Sequence, residues 1–165
     1  MKKILVVSDS HGAVEGIEKA LKNEKYDVSV NLGDSGQSES WIKERFDYYV
    51  TGNNDVFESS KSDLVFEVDG VRIAITHGDK YEASLKEMFR FNERVSRAKM
   101  LKLCRDIRAD ILLYGHSHIK DDSQKKEYRI VNPGSIAYPR DDRNGSYVVI
   151  TVSDDKKIDV EFKFV

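Results

Sequence analysis

The sequence predicts an α/β fold, a mixed sheet or two packed sheets covered by helices, on three observations. Apolar runs alternate with helical periodicity through the first third, Asp69-Gly70 separates two β-like runs, and the last third holds three more such runs. Ile4-Leu5-Val6-Val7 is a short continuous apolar run ended by Ser8 and Asp9, which reads as a buried strand. A helical stretch follows, with Val14, Ile17, Ala20 and Leu21 on one face. Val28 to Leu32 is the second run and ends at Gly33-Asp34. Ser38 to Phe46 fits a short helix, with Trp41 and Ile42 inward and Glu39, Lys43 and Glu44 outward. The third run, Tyr48-Tyr49-Val50, ends at Thr51-Gly52-Asn53-Asn54-Asp55. Strand, helix, strand, helix, strand is the order of a parallel α/β layer.

The pattern then changes. Leu64 to Val68 and Val71 to Thr76 flank Asp69-Gly70, a strong hairpin signal. Glu82 to Arg108 carries helical periodicity without proline, and Ile111-Leu112-Leu113-Tyr114 is a buried run ending at Gly115-His116. Tyr128 to Val131, Tyr147 to Val152 and Ile158 to Phe164 give an antiparallel C-terminal part, with Asp154-Asp155 turning the last pair into a hairpin. No linker, repeat or composition break divides the chain, so residues 1–165 are expected to form a single domain.

Composition narrows the function. A chain that is 39% hydrophobic and 34% charged is not a disordered one. Lysine plus arginine number 27 against 29 acidic residues, a net charge of −2, which points away from nucleic acid and anionic membranes as partners. The lone Cys104 excludes an internal disulfide and all-cysteine zinc sites. The run Ile4 to Val7 is too short for a signal-peptide core and nothing approaches a membrane span, so a cytoplasmic location is expected.

All four histidines, His11, His77, His116 and His118, lie within a few residues of the end of an apolar run. Asp9, Asp34 and Asn53 end such runs as well. Ligands of open α/β sheets bind just beyond the carboxyl ends of strands. One histidine or one Gly-Asp there is ordinary turn chemistry, whereas seven together are not. Four imidazoles, two carboxylates and an amide oxygen suit Mn²⁺, Fe, Co, Ni or Zn²⁺. Seven donors are too many for one open catalytic metal and fit two divalent ions sharing a carboxylate, which together can generate a bridging hydroxide.

Asp9-Ser10-His11, Gly33-Asp34, Gly52-Asn53-Asn54-Asp55, His77-Gly78 and Gly115-His116-Ser117-His118 follow one another in that order. This series resembles the calcineurin-like metallophosphoesterase superfamily. The small size, the third block without histidine, and Asn132-Pro133-Gly134-Ser135 resemble its short YfcE-like prokaryotic phosphodiesterase branch. The resemblance implies a four-layer αββα sandwich of two mixed sheets flanked by helices. It implies one metal on Asp9, His11, Asp34 and His118, and a second on Asp34, Asn53, His77 and His116, with Asp34 bridging. The implied activity is phosphoester hydrolysis, most simply of diesters, with Mn²⁺ in support. The partner would be a small phosphoester, nucleotide-derived ones included, and a homo-oligomer stays open. The alternative is a metal-stabilised protein-binding scaffold of the same fold, as in a retromer-subunit relative whose metal residues are partly replaced.

Asn54 stands where many superfamily members carry histidine. A carboxamide donates a hydrogen bond to a phosphoryl oxygen but has no proton to give near neutral pH. Asp55 reads as a turn-fixing group, and Ser135 as a phosphate donor or part of a tight turn. Arg140 and Arg143, beside Asp141 and Asp142, read either as a phosphate clamp or as a solvated loop. Lys86 to Arg105 reads as an amphipathic surface helix and Cys104 as buried filler, while Ser8, Ser10 and Ser117 lack the GxSxG elbow of a serine hydrolase.

Overall fold

In the computed structural model, which describes residues 1–165, the first apolar run becomes strand β1 (Lys2–Val7). After the exposed Lys2 and Lys3, its side chains are fully buried on alternate faces, Ile4 and Val6 on one and Leu5 and Val7 on the other, which is why the run is continuously apolar. Helix α1 (Val14–Asn23), β2 (Val28–Asn31), α2 (Glu39–Lys43) and β3 (Tyr48–Tyr49) complete the parallel layer. Helix α2 is shorter than the expected Ser38–Phe46: Ser38 caps its start, accepting from the Trp41 N–H at 3.2 Å, and Glu44 ends it, after which the Arg45 N–H turns to Ile42 C=O at 3.1 Å.

The hairpin of β4 (Asp63–Val68) and β5 (Val71–Thr76) forms as expected, with Asp69 at φ 48° and Gly70 at φ 77°. The expected helical stretch Glu82–Arg108 does not form as one piece. It is split into α3 (Leu85–Phe91) and α4 (Arg97–Asp106), after a 3-10 turn at Asp79–Tyr81. Asn92 turns left-handed at φ 52° to end α3, Ser96 caps α4, and Glu82 bridges to Val95 across the break. Strand β6 (Ile111–Tyr114) follows, and then β7 (Lys120–Lys125), which the sequence did not signal. Its residues, Lys-Asp-Asp-Ser-Gln-Lys, are polar because it is an edge strand paired only to β8 (Tyr128–Pro133). Strands β9 (Ser146–Val152) and β10 (Ile158–Phe164) close the chain as a hairpin.

Two mixed five-stranded sheets result, in the orders β10-β9-β1-β2-β3 and β4-β5-β6-β8-β7. They pack face to face through 16 buried residues, among them Ile4, Val6 and Val148 from one sheet and Ile73, Ile75, Leu113 and Val131 from the other. Helices α1 and α2 cover the outer face of the first sheet, through Ile17, Ala20 and Ile42, and α4 covers that of the second, through Met100 and Cys104. The architecture is the expected αββα sandwich. No helix is long and apolar enough to cross a membrane.

Candidate metal centre

The seven side chains singled out in the sequence meet at one rim. Asp9 and His11 follow β1, Asp34 follows β2 and Asn53 follows β3; His77 follows β5, and His116 and His118 follow β6. Parallel strands of both sheets thus deliver their carboxyl ends to one cleft of about 360 Å³. Five of the seven sit in the left-handed region: Asp9 (φ 56°), His11 (44°), Asp34 (51°), His116 (66°) and His118 (59°). Such conformations cost about 1–3 kcal/mol each and persist only where surroundings over-determine them. Here the backbone does so, with Asp9 N–H on Gly33 C=O at 3.1 Å and His11 N–H on Asp34 C=O at 2.9 Å.

Two glycines let the acids lie against bare backbone. A Cβ on Gly52 would fall 2.1 Å from Asp34 Oδ1, and one on Gly115 would fall 2.8 Å from Asp9 Oδ2. The Gly of each Gly-Asn and Gly-His block is therefore a packing requirement of the neighbouring carboxylate. Asp55 is the clamp of the second loop: its carboxylate accepts from the N–H groups of Asp34, Ser35, Gly36 and Gly52. Asn132 holds Gly115 C=O at 2.8 Å and Ser117 Oγ at 3.0 Å. Ser135 is fully buried and donates to Asp9 C=O at 2.6 Å, so its hydroxyl holds the β1 loop rather than facing a phosphate.

The donor atoms face one another. His77 Nδ1 donates to Leu32 C=O at 2.7 Å and His118 Nδ1 to Tyr138 C=O at 2.8 Å, which directs each Nε2 lone pair into the site. His77 Nε2 meets Asn53 Oδ1 at 3.0 Å, His116 Nδ1 meets the same oxygen at 3.1 Å, and His118 Nε2 meets His11 Nε2 at 3.0 Å. Asp9 Oδ2 accepts from Ser8 Oγ and the His116 N–H, while Asp9 Oδ1 is buried without any hydrogen-bond partner. Convergent lone pairs and an orphaned carboxylate oxygen call for a cation. Asp9, His11 and His118 form one group that could hold a metal, and Asp34, His77 and His116 a second. Asp34 Oδ2 lies between them, 3.7 Å from His11 Nε2 and 3.4 Å from His77 Nε2.

The electrostatics agree. Burial would lower the His77 imidazole, but Asp34 and Asp9 beside it raise it to about 9. Burial opposes the ionisation of Asp34, yet His77 and the Asn54 donors hold it well below the ordinary carboxylate range. Burial and the neighbouring His77 lower His116. Asn54 donates twice to Asp34, its N–H to Oδ1 at 2.8 Å and Nδ2 to Oδ2 at 2.7 Å.

The cleft wall holds residues that the sequence did not single out: Glu82, Ala83, Met88 and Arg94. A continuous helix over Glu82–Arg108 gave no reason to aim Arg94 at the histidines; the break at Asn92 does. Arg140 lines the cleft and Arg143 does not, so the two do not act as a pair.

Residues 1–155 match the model of the calcineurin-like phosphoesterase superfamily domain. A probable metallophosphoesterase of Mycoplasma pneumoniae is 30% identical over 166 residues, spanning 99% of this chain and 98% of that protein. A conserved protein of Streptococcus pneumoniae TIGR4, described as a predicted phosphoesterase, superposes with a TM-score of 0.80 at 29% identity, covering 99% of this chain and 89% of that one. A single mutant of Vps29 from Entamoeba histolytica reaches 0.73 at 18% identity over 99% of both chains, a likeness of fold.

Proposed function

Because this chain belongs to the calcineurin-like phosphoesterase superfamily, we propose that it is a binuclear metal-dependent phosphodiesterase, supported in turnover by Mn²⁺. The observation that carries this reading is the convergence of two adjoining donor groups, Asp9, His11 and His118 with the orphaned Asp9 Oδ1, and Asp34, His77 and His116. Asp9, His11, Asp34 and His118 would hold one ion, and Asp34, Asn53, His77 and His116 the other. Two divalent ions so held supply a water nucleophile at neutral pH and Lewis acidity toward phosphoryl oxygens.

The chain's own residues set the rest. Leu32 and Tyr138 carbonyls fix the imidazole tautomers of His77 and His118. Asn54 orients Asp34, the shared carboxylate, and carries no proton for a leaving group. Departure then follows the leaving group's own pKa, so activated aryl diesters are favoured over alkyl phosphates. A diester, with one negative charge against about two for a monoester, is held less tightly and turns over more readily.

A second reading, a metal-stabilised docking scaffold, draws on the exposed Leu85 (72%) and Phe89 (89%) of α3 and on the likeness in fold to Vps29. Loading the chain with Mn²⁺, counting metals and assaying bis(p-nitrophenyl) phosphate against p-nitrophenyl phosphate separates the two. About two ions per chain and faster diester cleavage are expected. Metal uptake without hydrolysis of either ester would favour the scaffold.

A further inference from the structure

Arg94 and Arg140 reach the cleft from loops far apart in sequence, and both stand beside acids that other cations have taken. Asp141 and Asp142, next to Arg140, are claimed by Lys120, whose Nζ lies 3.2 Å and 3.4 Å from them and whose N–H donates to Asp141 at 2.7 Å. Glu93, next to Arg94, is claimed by Arg97 at 3.2 Å, which also binds Asp121 at 2.9 Å. Neither Arg94 nor Arg140 has a carboxylate within ion-pair distance, whereas Arg97 and Lys120 beside them do.

Both are nonetheless held in place. The Arg140 N–H donates to His118 C=O at 3.0 Å and its Nη1 to Ser117 C=O at 3.4 Å. The Arg94 carbonyl accepts from the Ala83 N–H at 2.9 Å, beside the Glu82–Val95 bridge. Both side chains line the same cleft. Two arginines that line one cleft without an ion-pair partner suit an anion. Neither arginine is among the metal donors, and the cleft of about 360 Å³ that they share with them has room for an anion beside the scissile group.

We infer that Arg94 and Arg140 form a second anion subsite, which takes a phosphoryl group carried on the same small molecule as the scissile phosphoester. This rests on the phosphodiesterase reading and names its substrate class: a phosphoester with an additional phosphate. A terminal phosphate of charge near −2 offers oxygens to both planar forks at once.

The test uses two esters that differ by one phosphate, the p-nitrophenyl ester of thymidine 5′-phosphate with and without a 3′-phosphate, on the Mn²⁺-loaded full chain. Binding of inorganic pyrophosphate to the metal-free chain is followed by calorimetry. The 3′-phosphorylated ester should show a KM about tenfold lower, and Arg94→Ala with Arg140→Ala should bring the KM ratio near one and weaken pyrophosphate by about tenfold. Arg143→Ala, outside the cleft, should leave the ratio intact. A ratio untouched by the double substitution overturns the proposal. So does an equal fall in kcat on both esters, which would assign the pair to the scissile phosphate. If the wild-type chain cleaves neither ester, the phosphodiesterase reading fails, and the pyrophosphate isotherm still reads the subsite by itself.

Discussion

The floor and the wall of the cleft are built on opposite terms. The floor consists of strand ends, with Asp9, Asp34, His77 and His118 buried and five of the seven donors left-handed, and Asp9 and His11 are pinned by backbone hydrogen bonds to the loop after β2. The wall is the segment Glu82 to Val95, carrying a seven-residue helix with no buried residue and tied down mainly at its ends. Tyr81 C=O accepts from Ser96 N–H, and Glu87 ties Ser84 to Ser96. The difference teaches a division of labour: groups that must hold cations need pre-organisation, while groups that choose a substrate can sit on a segment with freedom to adjust.

The most damaging break is at the shared donor. Asp34→Asn removes the charge between both donor groups, so metal content measured after loading should fall from about two ions toward none, with affinity weakened at least about a hundredfold. His118→Ala, reaching one group only, should leave about one ion bound. A single ion per chain that ignores Asp34→Asn would break the comparison at its root.

Asp55→Ala tests whether the floor is over-determined. It strands the N–H groups of Asp34, Ser35, Gly36 and Gly52, and should cost about 3 kcal/mol in denaturant unfolding, lowering Tm by several degrees. Asp55→Asn keeps one acceptor oxygen and should recover part of that loss.

Asn54→His sharpens the catalytic side. An imidazole beside Asn53 brings a proton, so the dependence of rate on leaving-group pKa should flatten and monoester cleavage should rise relative to diester. An unchanged slope would move the proton question to another residue.

The wall should yield to acid before the floor's neighbours do. Hydrogen bonds from Ser96 and Ser84 hold the Glu87 carboxyl down at about 2, below its ordinary 4.5. Its contribution is therefore complete above about 4.5 and is lost as pH falls toward 2. Amide exchange at Glu87 and Met88 should quicken over that interval, and Glu87→Gln should remove the pH dependence.

The candidate donors were legible because metal chemistry restricts residue type and because each follows an apolar run; His11, Gly33-Asp34 and Gly115-His116 announce themselves locally. The hairpin at Asp69-Gly70 was legible for the same reason, a φ requirement met by two adjacent residues. Strand β7 was not, since an edge strand buries little and Lys120–Lys125 has no apolar alternation. The break in Glu82–Arg108 was hidden as well: Asn92 and Ser96 are plausible within a polar helix face until tertiary bonds from Glu87 and Tyr81 select the turn.

Ser135 and Arg140 mark the same boundary within the site. Their chemistry is visible in sequence, but the direction of a side chain depends on partners distant along the chain. Ser135 turns inward because Asp9 C=O awaits it, and Arg140 faces the cleft because Lys120, from β7, takes Asp141 and Asp142. By itself the sequence determined the succession of strands and helices in the parallel layer, the candidate donors at its strand ends and the glycines beside them, because those follow from local periodicity and from residue chemistry. Only the tertiary structure decided which cations were left unpaired and which segment walled the cleft, because ion pairing is a competition settled by distances between elements that the chain brings together only on folding.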